Sequence, residues 1–433
     1  MGCLVLFNLY RVADGGQTAK PPRPSPESEV FKTYCEKTNE ELKLSQPDQI
    51  SARGIVPCSS RPRSCAAPTP ADVQDCEEPL MMWKRGNKSM VGVDIGSSSV
   101  KAVELQGKNG DFQLVSLGYE ALQADSVVDG QIMELNSVSN AIANIFNEHK
   151  IKTTKVAAGV NGHSVIVKNI VLPQMTGDEL QESFAWHAEE HIPFDISDVN
   201  LDYHVTGSTP DAIHVLLAAC KRDKIANLKQ TIQLAGKQPT VIDVDAFALQ
   251  NCYELNYDPQ AGEVVALLNI GASTTNINIL NGNRSVFTRD ASFGGNQYTS
   301  LLQKELGLNF DQAEQVKRGM PLPDDIEPRE IAPILDTVSD ILALEIQKTM
   351  DFYRATVEDG ESAVQKILIS GGGSKLNGLM QFLAKQFEIP VDVFDPFRKI
   401  RIDSRGFDPE YMREIVPEMA IAVGLALRGV DAR

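Results

Sequence analysis

The sequence predicts an α/β protein built from two related lobes, and three observations carry that reading. The apolar strand Val91–Ile95 runs into Gly96-Ser97-Ser98-Ser99. A related phrase recurs at Val264–Thr275, where Val-Val-Ala-Leu-Leu-Asn-Ile runs into Gly-Ala-Ser-Thr-Thr. A third loop, Ser370-Gly371-Gly372-Gly373-Ser374, follows the apolar run Lys366–Ile369. Two strand-then-loop units rich in small hydroxyl side chains, followed by a glycine loop, point to a duplicated scaffold that grips one nucleotide between its halves.

Size and charge narrow the classes. With 433 residues the chain can bury more than one core. A formal net charge of −17 argues against nucleic acid as a partner, because phosphate backbones are held by clustered Lys and Arg. No apolar run approaches the roughly 18–20 residues that span a bilayer, so direct membrane insertion is not expected. Met1–Tyr10 is apolar but lacks the positive flank of a signal peptide. Position 6 is Leu6, where a myristoylation signal carries Ser or Thr. Cys3, Cys35, Cys58, Cys65 and Cys76 match no zinc spacing, and only Cys220 and Cys252 lie further along the chain. A reducing, cytoplasmic setting fits.

The elements follow in order. Residues 1–80 are proline-rich and without helix or strand period, and they read as a disordered extension. A start placed too far upstream would explain them, since Met81 or Met82 directly precedes the ordered pattern. Val91–Ile95, Lys101–Leu105 and Phe112–Tyr119 read as consecutive strands, with turn chemistry at Gly107–Gly110. Ser137–His149 has apolar residues at helical spacing, and Lys155–Gly159 is a further strand. Val165–Leu172 is a strand ended by Pro173, and Thr176 caps a helix stopped by Pro193. Tyr203–Thr206 and Ile213–Cys220 are strands and Arg222–Ala235 a helix, so 165–236 reads as a small α+β unit set into the first lobe, 81–164 and 237–262. Thr240–Val244 completes that lobe's strands. Val264–Ile270, Asn276–Leu280 and Arg284–Ala291 then repeat the opening plan. The second lobe takes 263–297 and 364–433, with a helical subdomain at 298–363 containing Tyr298–Leu306, Asp311–Arg318 and Ala332–Thr356. Lys366–Ser370 leads into the third loop, followed by helices Leu376–Phe387 and Pro417–Leu427.

The loops carry the candidate chemistry. Gly96 permits close backbone approach, Ser97, Ser98 and Ser99 offer hydroxyl and N–H groups to phosphate oxygens, and Lys101 adds a point charge. Asp94 at the strand end is placed to hold Mg²⁺ through water. Gly271, Ala272, Ser273 and Thr274 repeat the small, hydroxyl-rich character, with Asn269 at the position of Asp94. An amide cannot balance metal charge or accept a proton as a carboxylate does, but it can orient water. Gly371, Gly372, Gly373 and Ser374 do not fit the P-loop pattern, and read as a flat platform for ribose or adenine. His187-Ala188-Glu189-Glu190-His191 lacks the Glu that a zinc protease carries after its first His, and no nucleophile elbow is present.

Together these segments resemble the actin-like ATPase superfamily, which includes hexokinase, MreB and FtsA. Asp94–Lys101 resembles its first phosphate motif, Asn269–Thr275 its second and Ser370–Leu376 its adenosine motif. Phe293-Gly294-Gly295-Asn296 and Ala313–Lys317, with Glu314 and Lys317, resemble the segments that line the ribose and adenine. Asp245–Gln250 and Pro417–Gly424 resemble the two hinge helices. Within the superfamily the likeness is closest to the PilM family of type IV pilus assembly proteins, over about 82–431, with Met90–Leu105, Ile192-Pro193-Phe194, Val241–Gln250, Thr288–Thr299 and Gly371–Gly378 carrying it. The resemblance implies a two-lobed actin-like ATPase fold of duplicated ribonuclease H-like domains, with an FtsA-type insertion at 165–236. It implies ATP and Mg as ligands, with Asn269 and Gln250 as the tentative catalytic positions. It implies a partner, the cytoplasmic N-terminal peptide of the membrane protein PilN, docking between the first lobe and the insertion. It also implies membership of the inner-membrane pilus complex, at the inner face of that membrane, in a system of the kind that drives twitching motility. Self-association is a further expectation. Asn269 departs from the Asp of the second motif, so at most slow ATP hydrolysis is expected.

Two other classes fit the residues less well. An FtsA-like filament protein is expected to carry a C-terminal amphipathic helix for the bilayer, whereas only Gly429–Arg433 follow the last helix here. A small-molecule kinase needs a base beside a substrate hydroxyl, and no sugar-kinase signature stands out.

Overall fold

A computed structural model describes residues 10–11, 89–108, 110–320, 326–356, 363–403 and 405–430. The first-lobe elements are β1 (Tyr10–Arg11), β2 (Val91–Ile95), β3 (Ser99–Lys108), β4 (Asp111–Ala121), β5 (Val127–Val128), β6 (Gln131–Ile132), α1 (Leu135–Glu148) and β7 (Lys155–Val160). The inserted stretch holds β8 (Val165–Pro173), α2 (Gly177–Glu189), β9 (Val199–Ser208), β10 (Ala212–Lys221) and α3 (Arg222–Leu234), and the chain returns through β11 (Gln238–Val244) and α4 (Asp245–Tyr257). The second lobe contains β12 (Val264–Ile270), β13 (Thr275–Asn281), β14 (Arg284–Ala291), α5 (Gly295–Leu306), α6 (Phe310–Lys317) and α7 (Pro328–Thr356). It closes with β15 (Lys366–Ser370), α8 (Leu379–Phe387), β16 (Val391–Val393), α9 (Pro409–Ile415) and α10 (Ala420–Val430).

Both large sheets are built around the same unit. β2 pairs antiparallel with β3 and parallel with β7. β12 pairs antiparallel with β13 and parallel with β15. The full strand orders are β1-β11-β7-β2-β3-β4 and β14-β13-β12-β15-β16. This is the duplicated α/β plan that the recurring loop phrase predicts. The central strands Val91–Ile95 and Val264–Ile270 are almost wholly buried, as expected where helices cover both faces of a sheet.

The third sheet, ordered β8-β10-β9, belongs to the insertion. Strand β10 shows the period of two directly. Val215, Leu217 and Ala219 join the insertion's own core with Leu180, Phe184 and Ala188 of α2. Leu216, Ala218 and Cys220 face the other way, into the first-lobe core. Thr176 caps α2 in a reciprocal capping box with Glu179, as its sequence predicts. Helix α3, read from sequence as part of the inserted unit, buries Ile225, Leu228 and Ile232 against Val138, Ile142 and Ile145 of α1. Its apolar stripe therefore anchors the insertion to the first lobe.

Helices α4 and α10 pack between the two sheets. A Cβ added to Gly424 would lie 1.8 Å from the Ala248 carbonyl oxygen, and one on Gly92 would lie 2.1 Å from the Ala422 oxygen. These backbones approach as only glycine permits. Buried Asp243 and Arg428 pair at 3.1 Å across the same region. Burial pushes the Asp243 carboxyl up to about 6 even with Arg428 beside it.

Three details depart from the sequence reading. Tyr10–Arg11 forms a short strand on β11, where the proline-rich composition predicts none. An edge strand offers unpaired N–H and C=O groups that any extended segment can satisfy. The rest of the 1–80 extension lies outside the described residues. Helix α8 starts at Leu379 rather than Leu376, because Gly372–Lys375 forms a 3₁₀ turn and Gly378 takes a φ of +82°. Helix α10 starts at Ala420 rather than Pro417, after a 3₁₀ turn at Val416–Glu418. Among the described residues no helix is long and apolar enough to cross a membrane.

Candidate functional site

The two serine- and threonine-rich loops are the turns of matching hairpins. In the first, Gly96 N–H donates to Ser99 O at 3.0 Å, and in the second Gly271 N–H donates to Thr274 O at 2.9 Å. The tips meet, since the Ser97 and Ser273 hydroxyls are hydrogen-bonded to each other although 176 residues apart. Ser98 is exposed, whereas the Ser99 side chain is buried with no partner for its Oγ.

Directly below each turn the two strands place one polar pair in register. In the first hairpin it is Asp94 opposite Lys101, 3.5 Å apart. Both are largely buried. Burial raises the Asp94 pKa, against the pull of Lys101, and Glu418 adds to the rise. Burial opposes the Lys101 charge, but Asp94 and Glu418 outweigh it and hold the ammonium form. In the second hairpin the pair is Asn269 opposite Asn276, with Asn269 Nδ2 donating to Asn276 Oδ1 at 3.1 Å. Asn276 is a site residue that the sequence reading does not reach, although it occupies the position of Lys101, seven residues after the strand-end polar residue.

The third loop closes against the second. Gly371 has a φ of +80°, and a Cβ there would lie 2.5 Å from the Ile270 carbonyl oxygen. Its N–H donates to Pro417 O at 2.7 Å. Gly373 packs on Ile270, and Ser374 Oγ donates to Gly371 O at 2.7 Å. Gly372 alone is exposed, next to the Glu418 carboxylate that pairs with Lys375 at 2.6 Å. A flat platform is thus reduced to one open residue.

Gly294 and Gly295 sit against the second turn. A Cβ on Gly294 would lie 2.5 Å from Gly271 O, and Gly295 N–H donates to Gly271 O at 2.9 Å. Lys317 pairs with Glu314, and its ammonium donates to Thr299 Oγ1 at 2.8 Å and Gly295 O at 3.3 Å. Burial lowers the Lys317 pKa. Glu314 and Lys317 therefore lie beside the start of α5, next to the second loop. A groove of about 340 Å³ runs along the same helix between Asn296, Ser300 and Leu301 and α7 residues Val338 and Ile341. It flanks the loops rather than lying between them, because the tips are in contact.

Gln250 is not brought to this place. It is buried on α4, donating to Glu254 Oε1 at 2.8 Å and to Asn283 O at 2.7 Å, at the far turn of the β13–β14 hairpin. Five residues along a helix turn a side chain by about 140°, so the face towards the loops belongs to Asp245 instead. Asp245 accepts from Asn161 Nδ2 at 2.5 Å, and its Oδ1 is buried without a partner. A Cβ on Gly159 would lie 1.8 Å from that oxygen. Burial raises the Asp245 pKa well above the ordinary range, and Asp94 and Asp290 push it further. Asp290 in turn accepts from Asn276 at 2.8 Å and from Gly162 N–H at 2.5 Å. Asp245 thus feels two carboxylates from distant segments, Asp94 and Asp290. Among the described residues no three acidic, His or Cys side chains are close enough to ligate a metal ion directly.

A family model described as type IV pilus assembly protein PilM matches residues 92–430. The solved PilM–PilN type IV pilus biogenesis complex contains a chain 28% identical to this one, with a TM-score of 0.70, covering 79% of this chain and 99% of that one. The cell division protein FtsA of Helicobacter pylori strain 26695 is 19% identical over 408 residues, 78% of this chain and 81% of that protein. FtsA of Streptococcus pneumoniae strain D39 is 20% identical over 351 residues, 70% of this chain and 75% of that protein. The match extends from the first loop's strand through α10, so the chain belongs to the PilM family of type IV pilus assembly proteins.

Proposed function

We propose that the chain is an ATP-binding adaptor of type IV pilus assembly, which takes the cytoplasmic N-terminal segment of a PilN-type membrane protein as its partner. The observation that carries the nucleotide half is the pair of matched hairpin turns meeting tip to tip through Ser97 and Ser273. A phosphate chain entering there is received by two sets of small hydroxyl and N–H donors at once. It also separates the tips, so occupancy is linked to the angle between the lobes.

The residues suit magnesium held through water. Asp94 and Asp245 lie together in a buried acidic cluster, and an unpartnered Asp245 oxygen leaves coordination capacity there. Bound with the nucleotide, the ion would neutralise phosphate charge, and Asp94 and Asp245 would hold its waters. Lys101 favours the ionised form of Asp94, and Glu314 and Lys317, beside the start of α5, would recognise the ribose. Asn269 cannot take a proton from water, which agrees with slow turnover at most.

The partner half rests on the 28% match to a chain of the PilM–PilN complex over nearly the whole of that chain. Docking against the inserted sheet and the first lobe would place the chain at the inner membrane through its partner. Titrating a peptide of the PilN-type cytoplasmic N-terminus into the full chain, with and without Mg-ATP, tests both halves. Saturable binding with a nucleotide-dependent Kd is expected. Absence of binding in both conditions overturns the adaptor reading.

A further inference from the structure

Asn269 lacks the chemistry of a base, but its amide makes one contact that a carboxylate could not, the bond it donates to Asn276. Ser370 Oγ donates to Asn269 Oδ1 at 3.2 Å. Asn269 Nδ2 donates to Asn276 Oδ1 at 3.1 Å, and Asn276 Nδ2 donates to Asp290 Oδ1 at 2.8 Å. The other oxygen of Asp290 accepts from the N–H of Gly162, at 2.5 Å. The chain runs unbroken from the third loop, across the second hairpin, to the loop between β7 and β8 where the insertion begins.

Its direction is dictated by its end. Asp290 accepts through both oxygens, one from the Gly162 N–H and one from Asn276, so Asn276 turns its NH₂ towards it and its carbonyl towards Asn269. Asn269 must then donate, which leaves its own carbonyl for the Ser370 hydroxyl. A carboxylate at 269 would place acceptors on both sides of Asn276, and one link would become an oxygen–oxygen repulsion. Two further bonds fasten the same junction, His163 Nε2 with Ser292 Oγ at 2.9 Å and Asn169 Nδ2 to Val286 O at 3.1 Å.

We infer that Asn269 is a positioning residue in a one-way hydrogen-bond chain, Ser370–Asn269–Asn276–Asp290, that latches the root of the inserted unit to the second lobe. A displacement of the third loop is then felt at Gly162, the residue from which the insertion departs. That this displacement follows nucleotide occupancy rests on the function proposed above; the latch itself does not.

The test is hydrogen–deuterium exchange of the segment carrying Gly162, in the full chain without nucleotide. Asn269→Asp breaks the chain and should speed exchange there by about tenfold, the scale of one buried hydrogen bond lost. Asp290→Asn alone should stay within about twofold of the wild type, because every amide can turn about, with the Ser370 hydroxyl accepting from Asn269 while it donates to Leu268 O at 3.3 Å. The double variant keeps the same net charge and restores a complete chain with its two middle links reversed. The carboxylate introduced at position 269 then accepts from Ser370 and from the Asn276 amide. The Asn276 carbonyl accepts from the amide introduced at position 290, whose own carbonyl accepts from the Gly162 N–H. Exchange should return to within about twofold of the wild type. Equal exchange in wild type and Asn269→Asp overturns the latch, as does a double variant whose exchange equals the product of the single effects. Where a single variant fails to fold, a double variant that folds supports the chain, and one that does not fold overturns it. Nucleotide titration of the same variants separates the two readings, because a latch that behaves as described in a chain that binds no ATP refutes only the proposed function.

Discussion

The two hairpins have the same backbone and opposite electrostatics. Each has a four-residue turn closed by one N–H to carbonyl bond, with a polar cross-strand pair directly beneath it. In the first lobe that pair is Asp94 and Lys101, an ion pair held away from water. In the second it is Asn269 and Asn276, two amides wired onward to Ser370 and Asp290. One half of a duplicated site holds fixed charge at the cleft, and the other holds neutral, directional hydrogen bonds. The difference shows one hairpin geometry carrying two chemistries.

Breaking the ion pair should have the largest effect. Lys101→Ala leaves Asp94 buried without its cation and should cost about 3 kcal/mol in urea unfolding, together with a large loss of ATP affinity. A loss no greater than that of Asn276→Ala would erase the distinction between the hairpins. Gly371→Val should cost about 2–3 kcal/mol, because it combines a left-handed backbone with a Cβ directed at the Ile270 carbonyl. It should also weaken ATP binding, and an unchanged affinity in both this variant and Lys101→Ala would remove the site assignment. Asn276→Ala should cost less, about 1–2 kcal/mol, since a neutral bond is lost rather than a charge stranded.

Buried carboxyls, two in the cleft and one beside the far turn of the β13–β14 hairpin, should also make stability depend on pH. Asp94 and Asp245 have pKa values raised by burial, and burial pushes Glu254 up to about 7. The folded state then keeps protons that the unfolded state has released, so stability falls as pH rises from about 4 through the folded-state values. Asp245→Asn should flatten that fall. Glu254→Gln should flatten its upper part, between the ordinary 4.5 and about 7. Unfolding midpoints across pH that are superimposable for wild type and both variants would contradict this. The smallest effect is expected from removing the Tyr10–Arg11 strand, about 1 kcal/mol or less, because only a two-residue edge pairing is lost.

Much of the site is legible locally. Strand β12 and strand β15 fall where the apolar runs end, and Thr176 caps α2 as its spacing with Glu179 predicts. Gln250 fails as a site residue for a reason of geometry, since the helix carrying it turns Asp245 to the cleft and Gln250 to Asn283. Asn276 and Asp290 escape a sequence reading because a polar residue inside a strand has no local mark of its partner. The insertion is visible as a composition of strands and helices, but not the allegiance of α3, whose stripe Ile225, Leu228 and Ile232 could serve either core.

The sequence by itself determined what depends on near neighbours: the apolar strands, the glycine turns, the helix caps and the repetition that announces two lobes. These are set by backbone preference and side-chain periodicity over a few residues. Only the tertiary structure decided which loops meet, that Asp94 and Asp290 both act on the buried Asp245, and that Asn269 is held by Ser370 and Asn276. Those facts depend on strand register and chain crossing between segments separated by as many as 196 residues, as Asp94 and Asp290 are. Over such distances pairing is selected by the packing of the whole core rather than by any local preference.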